Sequence, residues 1–250
     1  MHDLRDHSGR FVLLGRAITR FLLKRADAVI THCDGVLPPA ANAVTIPHGH
    51  YIGWYENRVG RAEARRLLGV GEREFVFLFL GWIRRYKGVT ELVDAFQQLE
   101  GARLLIAGTV PERRLLRWLQ RRAGRSVTVV PRAIADDEVQ LYMNTCDAVV
   151  LPYRRSLTSG AAVLAMSFAR PCIAPRIGRF GQMLDERGAF LYEPGGLLET
   201  MRSAIQRRAD LPVMGEYNLA RARAAQWDWD GIAARTLEVY HSTLLAKGSI

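Results

Sequence analysis

No apolar run in the sequence approaches the roughly 20 residues a membrane-spanning helix needs, because charge interrupts each run first. No secretory leader is legible either. Cysteine is scarce. Cys33, Cys146 and Cys172 sit in apolar surroundings without paired spacing, which argues against a disulfide framework and for reduced core thiols. Together these absences lead to the expectation of a cytoplasmic chain. Histidine, cysteine and carboxylate residues form no group with metal-ligand spacing, so no metal and no bound cofactor is called for. There is no internal repeat and no low-complexity linker. Acidic residues are the minority among charges, 25 against 35 basic, leaving a formal net charge of +10. That balance suits an anionic partner: a nucleotide, a membrane surface or a nucleic acid. A nucleic-acid partner is not expected, because the chain has no matching motif and no aromatic platform.

What is present is alternation. The 250 residues, 49% hydrophobic, can fill one large core or two small ones. EFVFLFL at 74–80 is a near-continuous apolar run of the kind buried in a parallel sheet covered on both faces. Strands are predicted at 27–33, 44–46, 74–80, 103–107, 127–130, 148–151, 172–174 and 189–192. Helices are predicted at 11–25, 60–69, 89–99, 112–122, 136–145, 161–169, 196–207, 214–226 and 229–246. Strand and helix in turn imply right-handed crossovers and a doubly wound, Rossmann-like α/β sheet.

Ligands of such sheets bind beyond the carboxyl ends of the strands. The loops there are 81–88, 108–111, 131–134, 152–160 and 175–181. The first carries Gly81, Trp82, Arg84, Arg85, Lys87 and Gly88, three cations within four positions, which suits a diphosphate. A solvated basic turn is the ordinary alternative. The fourth ends in Ser156, Thr158, Ser159 and Gly160 at the start of an apolar helix. Free N–H groups and the helix dipole make an anion site there, although the same residue types cap helices that bind nothing. Arg132 and Tyr153, in loops of the same end, complete the expected donor-binding set. His48 and Gly49, after the strand at 44–46, are expected at a hinge or against a sugar. Histidines in such loops are more often structural.

FLFLGWIRRYKGVTELVDAFQQL, ARLLIAG and DDEVQLYMNTCDAVVLPYRRSLTSGAAVLAMSFARPCIAP together resemble the C-terminal, donor-binding domain of GT-B-fold glycosyltransferases. The likeness is to the large bacterial retaining group, the group 1 type. VTIPHG resembles that family's interdomain hinge, and Trp227, Trp229 and the helix through Tyr240 resemble its closing helices. The resemblance implies three segments: 1–47 as a remnant of a truncated acceptor-side domain with the hinge, 48–226 as the nucleotide-sugar domain, and 227–250 as a helix crossing back. It makes Lys87 the diphosphate lysine. The arginine position of the family holds Trp82, which leaves Arg84 or Arg85 to serve, so Lys87 and Arg84 are the expected catalytic pair. The family's Glu, seven residues, Glu pattern falls on Ser156 and Leu164, so both carboxylates are replaced.

The implied function is transfer of a hexosyl group from a nucleotide-diphosphate sugar to a glycan or lipid-linked glycan, in polysaccharide or glycolipid synthesis. Two alternatives stay open: a non-catalytic donor-binding partner of a complete transferase, and a sugar-nucleotide epimerase on the same fold. The chain alone is expected to bind donor but transfer little. Basic stretches at 16–25 and 113–125 mix cations with Leu, Phe or Trp, which suits peripheral docking on the anionic inner face of a membrane. Helices 11–25 and 229–246 are expected to pack together, since each otherwise exposes an apolar face.

Overall fold

A computed structural model describes residues 12–32, 42–155, 159–178, 180–246 and 248. The chain divides into two compact units, Met1–Gly49 with Ala225–Ile250, and His50–Ala224. The smaller unit holds helix α1 (Val12–Arg25) and a parallel pair of short strands, β1 (Val29–Thr31) and β2 (Ala43–Thr45).

The larger unit runs α2 (Arg61–Leu67), β3 (Phe75–Leu80), α3 (Val89–Phe96), β4 (Ala102–Ala107), α4 (Arg113–Arg122), β5 (Val127–Val130), α5 (Val139–Thr145) and β6 (Ala148–Val150). It continues through α6 (Gly160–Ser167), β7 (Cys172–Pro175), α7 (Phe180–Met183), β8 (Ala189–Tyr192), α8 (Leu197–Gln206) and α9 (Leu211–Ala222). Six strands form one all-parallel sheet in the order β5-β4-β3-β6-β7-β8. This is the doubly wound α/β architecture that the alternation predicts. Every residue of β3 is buried, as its unbroken apolar run requires of a central strand. Phe77 stacks at 4.7 Å on Phe75 and meets Phe96 of α3 edge-on at 6.3 Å. The apolar α6 is buried through Ala162, Val163, Ala165 and Met166. The order reverses direction between β3 and β6, and that switch point is where such sheets open a crevice.

The opposite end of the sheet is closed by Asp147, just before β6. Its carboxylate accepts hydrogen bonds from Arg61 Nη2 (2.6 Å), Arg65 Nη2 (2.8 Å) and Val76 N (2.7 Å). Arg65, only 1% exposed, donates its other N–H groups to the carbonyls of Gly71, Glu72, Glu74 and Thr145. One buried ion pair thus joins α2, β3 and β6, with the guanidinium satisfied by backbone as a buried charge must be.

Element ends differ from the sequence reading by a few residues. The predicted helix at 136–145 begins only at Val139, and the loop 81–88 contains a 3-10 turn, Arg85–Lys87. The loop expected at 175–181 already enters a short helix, α7, at Phe180. The last helix of the smaller unit is α10 (Trp229–Ala246). Ile18, Phe21 and Leu22 of α1 stay exposed, and so do Leu237, Tyr240, Leu244 and Leu245 of α10. α10 contacts the end of β2 and the segment after it. Arg235 donates to the Thr45 carbonyl at 2.7 Å, and the Trp229 ring meets His48 at 6.2 Å.

Candidate functional site

Two loops flank the switch point, one after β3 and one after β6, and the chain locks them together. Gly88 has a left-handed φ of 71°, and a Cβ there would stand 1.7 Å from the Pro152 carbonyl oxygen. Only glycine permits that approach. Arg154 N donates to the Tyr86 carbonyl at 3.0 Å, and the Arg154 guanidinium pairs with Glu91 at 2.8 Å. A second glycine contact ties the loop after β4 to the first. A Cβ on Gly108 would lie 1.8 Å from the Gly81 oxygen, and Ile83 N donates to Thr109 O at 2.9 Å.

Lys87 occupies the seam. Its Nζ stands 5.2 Å from the centroid of the Tyr153 ring. Burial, and then the neighbouring Arg84 charge, push its pKa from 10.5 down to about 8. Arg84 in turn stacks over Trp82 at 5.2 Å. The nearby carboxylates are engaged by other arginines, Glu112 by Arg85 and Glu91 by Arg154. Among the described residues Lys87 and Arg84 therefore have no carboxylate partner. Such a site favours a polyanion, whose oxygens take the place of the water that the ammonium has lost.

Ser159 caps α6, accepting from Ala162 N at 3.2 Å, and it shares a hydrogen bond with the Tyr153 hydroxyl. Tyr153 is 6% exposed, and burial pushes its pKa up. It forms the floor under Lys87, and its hydroxyl is turned to Ser159. Gly160 opens α6 where a Cβ would be 3.1 Å from the Tyr51 hydroxyl. Tyr51 is held to the same helix through its N–H, which donates to Ser167 Oγ at 3.0 Å. Ser156 and Thr158 lie outside the described residues.

The remaining expected residues separate. Arg85 is exposed and paired with Glu112 at 3.3 Å. Trp82 is 55% exposed at the rim. Arg132 makes a two-pronged pair with Glu138, whose pKa it holds at about 2. In the smaller unit, His48 Nδ1 lies 2.7 Å from the Gly49 carbonyl, and a Cβ on Gly49 would meet the Trp229 indole at 2.5 Å. Among the described residues no histidine, cysteine and carboxylate group is arranged to hold a metal ion, and no helix is long and apolar enough to cross a membrane. Sequence reasoning missed Pro152, Arg154, Tyr51 and Gly108. Only Gly108, a glycine ending an apolar strand, left a signal.

A reversed parallel sheet with cation-bearing loops over the switch point is the donor-side architecture of GT-B glycosyltransferases. The comparisons place it further: residues 74–210, more than half of the chain, match the model for glycosyl transferases group 1, and the chain belongs to that family. It is 30% identical over 221 residues to the GDP-mannose:glycolipid 4-beta-D-mannosyltransferase of Xanthomonas campestris pv. campestris, covering 82% of this chain and 60% of that one. It is 29% identical over 197 residues to the D-inositol 3-phosphate glycosyltransferase of Pseudarthrobacter chlorophenolicus, covering 74% and 46%. The chain thus spans about three fifths or less of these relatives' lengths. Among solved structures, sucrose-phosphate synthase from Thermosynechococcus elongatus has a TM-score of 0.83 at 22% identity, covering 96% of this chain and 64% of that one. Anabaena HepE in complex with UDP-glucose has a TM-score of 0.84 at 20% identity, covering 97% and 71%. At these identities the two structures establish the fold.

Proposed function

We propose that the chain binds a nucleoside-diphosphate hexose at the switch point and serves transfer of the hexosyl group to a lipid-linked glycan at the inner face of a membrane. The observation that carries this reading is Lys87: a half-buried ammonium without a carboxylate partner, beside Arg84 and the cap of α6. In transfer, the bond from the anomeric carbon to the diphosphate oxygen breaks and its electron pair leaves with the diphosphate. Lys87, Arg84 and the free N–H groups of α6 stabilise that departing charge, which is electrostatic catalysis at a leaving group. In this reading the cations supply the neutralisation that a metal ion supplies elsewhere. The acceptor hydroxyl closes the new bond and passes its proton to the departed diphosphate or to the surrounding water.

Mannose on guanosine diphosphate is the donor we propose, because the relative in Xanthomonas campestris is named for that donor and for a glycolipid acceptor. A donor-binding role without catalysis is the second reading. It is favoured by Leu164, a half-buried apolar residue on α6 where the family resemblance expects a carboxylate.

Titration calorimetry separates these claims. GDP is expected to bind more tightly than UDP, and Lys87→Ala to weaken GDP roughly tenfold or more, as loss of a charge-assisted bond requires. Guanosine affinity should not change. Absence of binding by either nucleoside diphosphate sinks the donor reading. Binding without transfer to any lipid-linked glycan, with a complete acceptor domain supplied, favours the second reading.

A further inference from the structure

We propose that the solvent-facing side of α4 is an electrostatic docking face for an anionic lipid bilayer. Half of this ten-residue helix is arginine: Arg113, Arg114, Arg117, Arg121 and Arg122. Its apolar side is used within the fold, with Leu115 and Leu119 fully buried. Arg113, Arg114, Arg117 and Arg121 are exposed, and among the described residues none of them forms an ion pair. Arg122 alone meets a carboxylate, Asp94 of α3 at 3.8 Å. Glu112, at the helix start, is held by Arg85.

The placement also breaks a local rule. The first turn of α4 holds two arginines and no acidic residue, although the positive end of a helix dipole repels cations. Glu112 at the N-cap sets one negative charge against that end, but Arg85 engages it, so the two arginines keep an excess of positive charge there, and placements that break a local rule in this way mark functional surfaces. An opposed anionic surface is what compensates that excess.

Two observations choose a bilayer among polyanions. Trp118 is half-buried under the Arg122 guanidinium, 3.9 Å from its ring centroid, so it offers no stacking platform for bases. The helix start adjoins the donor loop through the Arg85–Glu112 pair and the Ile83–Thr109 hydrogen bond. A lipid surface against α4 therefore lies beside the diphosphate seam, where a lipid-linked acceptor has to arrive. This last point rests on the proposed function. The covered Trp118 further implies adsorption without insertion.

The test is co-sedimentation of the full chain with vesicles of phosphatidylcholine alone or mixed with phosphatidylglycerol. Binding is expected only to the mixed vesicles at low salt, and it should disappear as the screening length falls toward about 3 Å near 1 M salt. Each cation at such a surface raises partitioning about fivefold. Arg113→Glu, Arg117→Glu and Arg121→Glu together should therefore lower partitioning roughly a hundredfold or more, while the three corresponding lysine substitutions retain it. The matched control on α1 is Arg20→Glu, Lys24→Glu and Arg25→Glu, which should matter far less. Tryptophan emission should not shift to the blue on binding. No sedimentation with anionic vesicles overturns the proposal. So does undiminished binding by the α4 glutamate variant, an equal loss from the α1 variant, or tighter binding to RNA than to vesicles at the same salt. GDP titration of each variant reports its fold independently. Vesicle binding in a chain that binds no nucleoside diphosphate leaves the docking face standing and the donor reading fallen.

Discussion

Lys87 lies over the ring of Tyr153, and Tyr153 turns its hydroxyl the other way, to Ser159 at the cap of α6. One aromatic side chain therefore fixes the distance between the cation of the β3 loop and the helix end of the β6 loop. The ring and the hydroxyl are separable. Tyr153→Phe keeps the floor under the ammonium and should leave GDP affinity within a few-fold. Its stability cost is about 1 kcal/mol, the usual net worth of one hydrogen bond. Tyr153→Leu removes the ring face, an attraction of roughly 0.5–2 kcal/mol for the charged form. Lys87 should then lose its proton at lower pH, seen as an earlier fall of GDP affinity in a pH series.

The pH dependence of the unmodified chain follows from the same lysine. With a pKa of about 8 in the empty site, Lys87 is protonated at neutral pH and neutral above 9 or so. A diphosphate favours the charged form, so binding above pH 8 takes up a proton. GDP affinity should hold near neutrality and then fall by up to about tenfold per pH unit above 8. Calorimetry in buffers of different ionisation enthalpy measures the proton uptake directly. A flat profile through this range contradicts the assignment.

Gly88→Ala tests the seam between the two loops. The substitution places a methyl group against the Pro152 carbonyl and forces a left-handed φ of 71° on alanine. Strain of about 1–3 kcal/mol follows from the backbone alone, and the clash pushes the loops apart. A lowered melting temperature with GDP binding abolished is expected. Retention of full affinity would show that the seam does not define the site.

At the opposite end of the sheet, Asp147→Ala leaves Arg65 buried and without its counter-charge. Breaking one side of a buried pair costs about 3–5 kcal/mol. Urea titration of the variant should show a loss of that order. Asp147→Asn, which retains an acceptor for Val76 N, should lose less.

The repeating apolar runs made the sheet legible, because strand and helix periods are local properties of a sequence. The loops over the switch point were legible for the same reason: they are what remains between the runs. The partners that side chains in those loops find were not. Arg85 and Arg132 read as ligands for phosphate, and each also meets a carboxylate, Glu112 and Glu138. The partner of Arg85 is 27 positions away, and no local pattern announces it. Tyr153 read as part of the donor-binding set, but nothing local in the sequence showed that it is buried beside Phe180 and under Lys87. The proposed α4 face was half legible. Its arginine excess is plain, whereas the burial of Trp118 under Arg122 needed three dimensions.

The lowered pKa of Lys87 has a further consequence. Its folded value lies below its ordinary value, so the unfolded chain binds more protons between pH 8 and 10.5, and stability rises with pH across that window. At neutral pH the full cost is present, about 3 kcal/mol by the size of the displacement. Lys87→Met should accordingly raise the melting temperature of the empty chain while removing its affinity for GDP. Position 87 is then a place where stability and use pull in opposite directions. In a lineage that stopped handling the donor, nothing would oppose replacement of this lysine by an apolar residue. The identity of residue 87 in any descendant of this chain can be read as a gauge of whether its donor site is still employed.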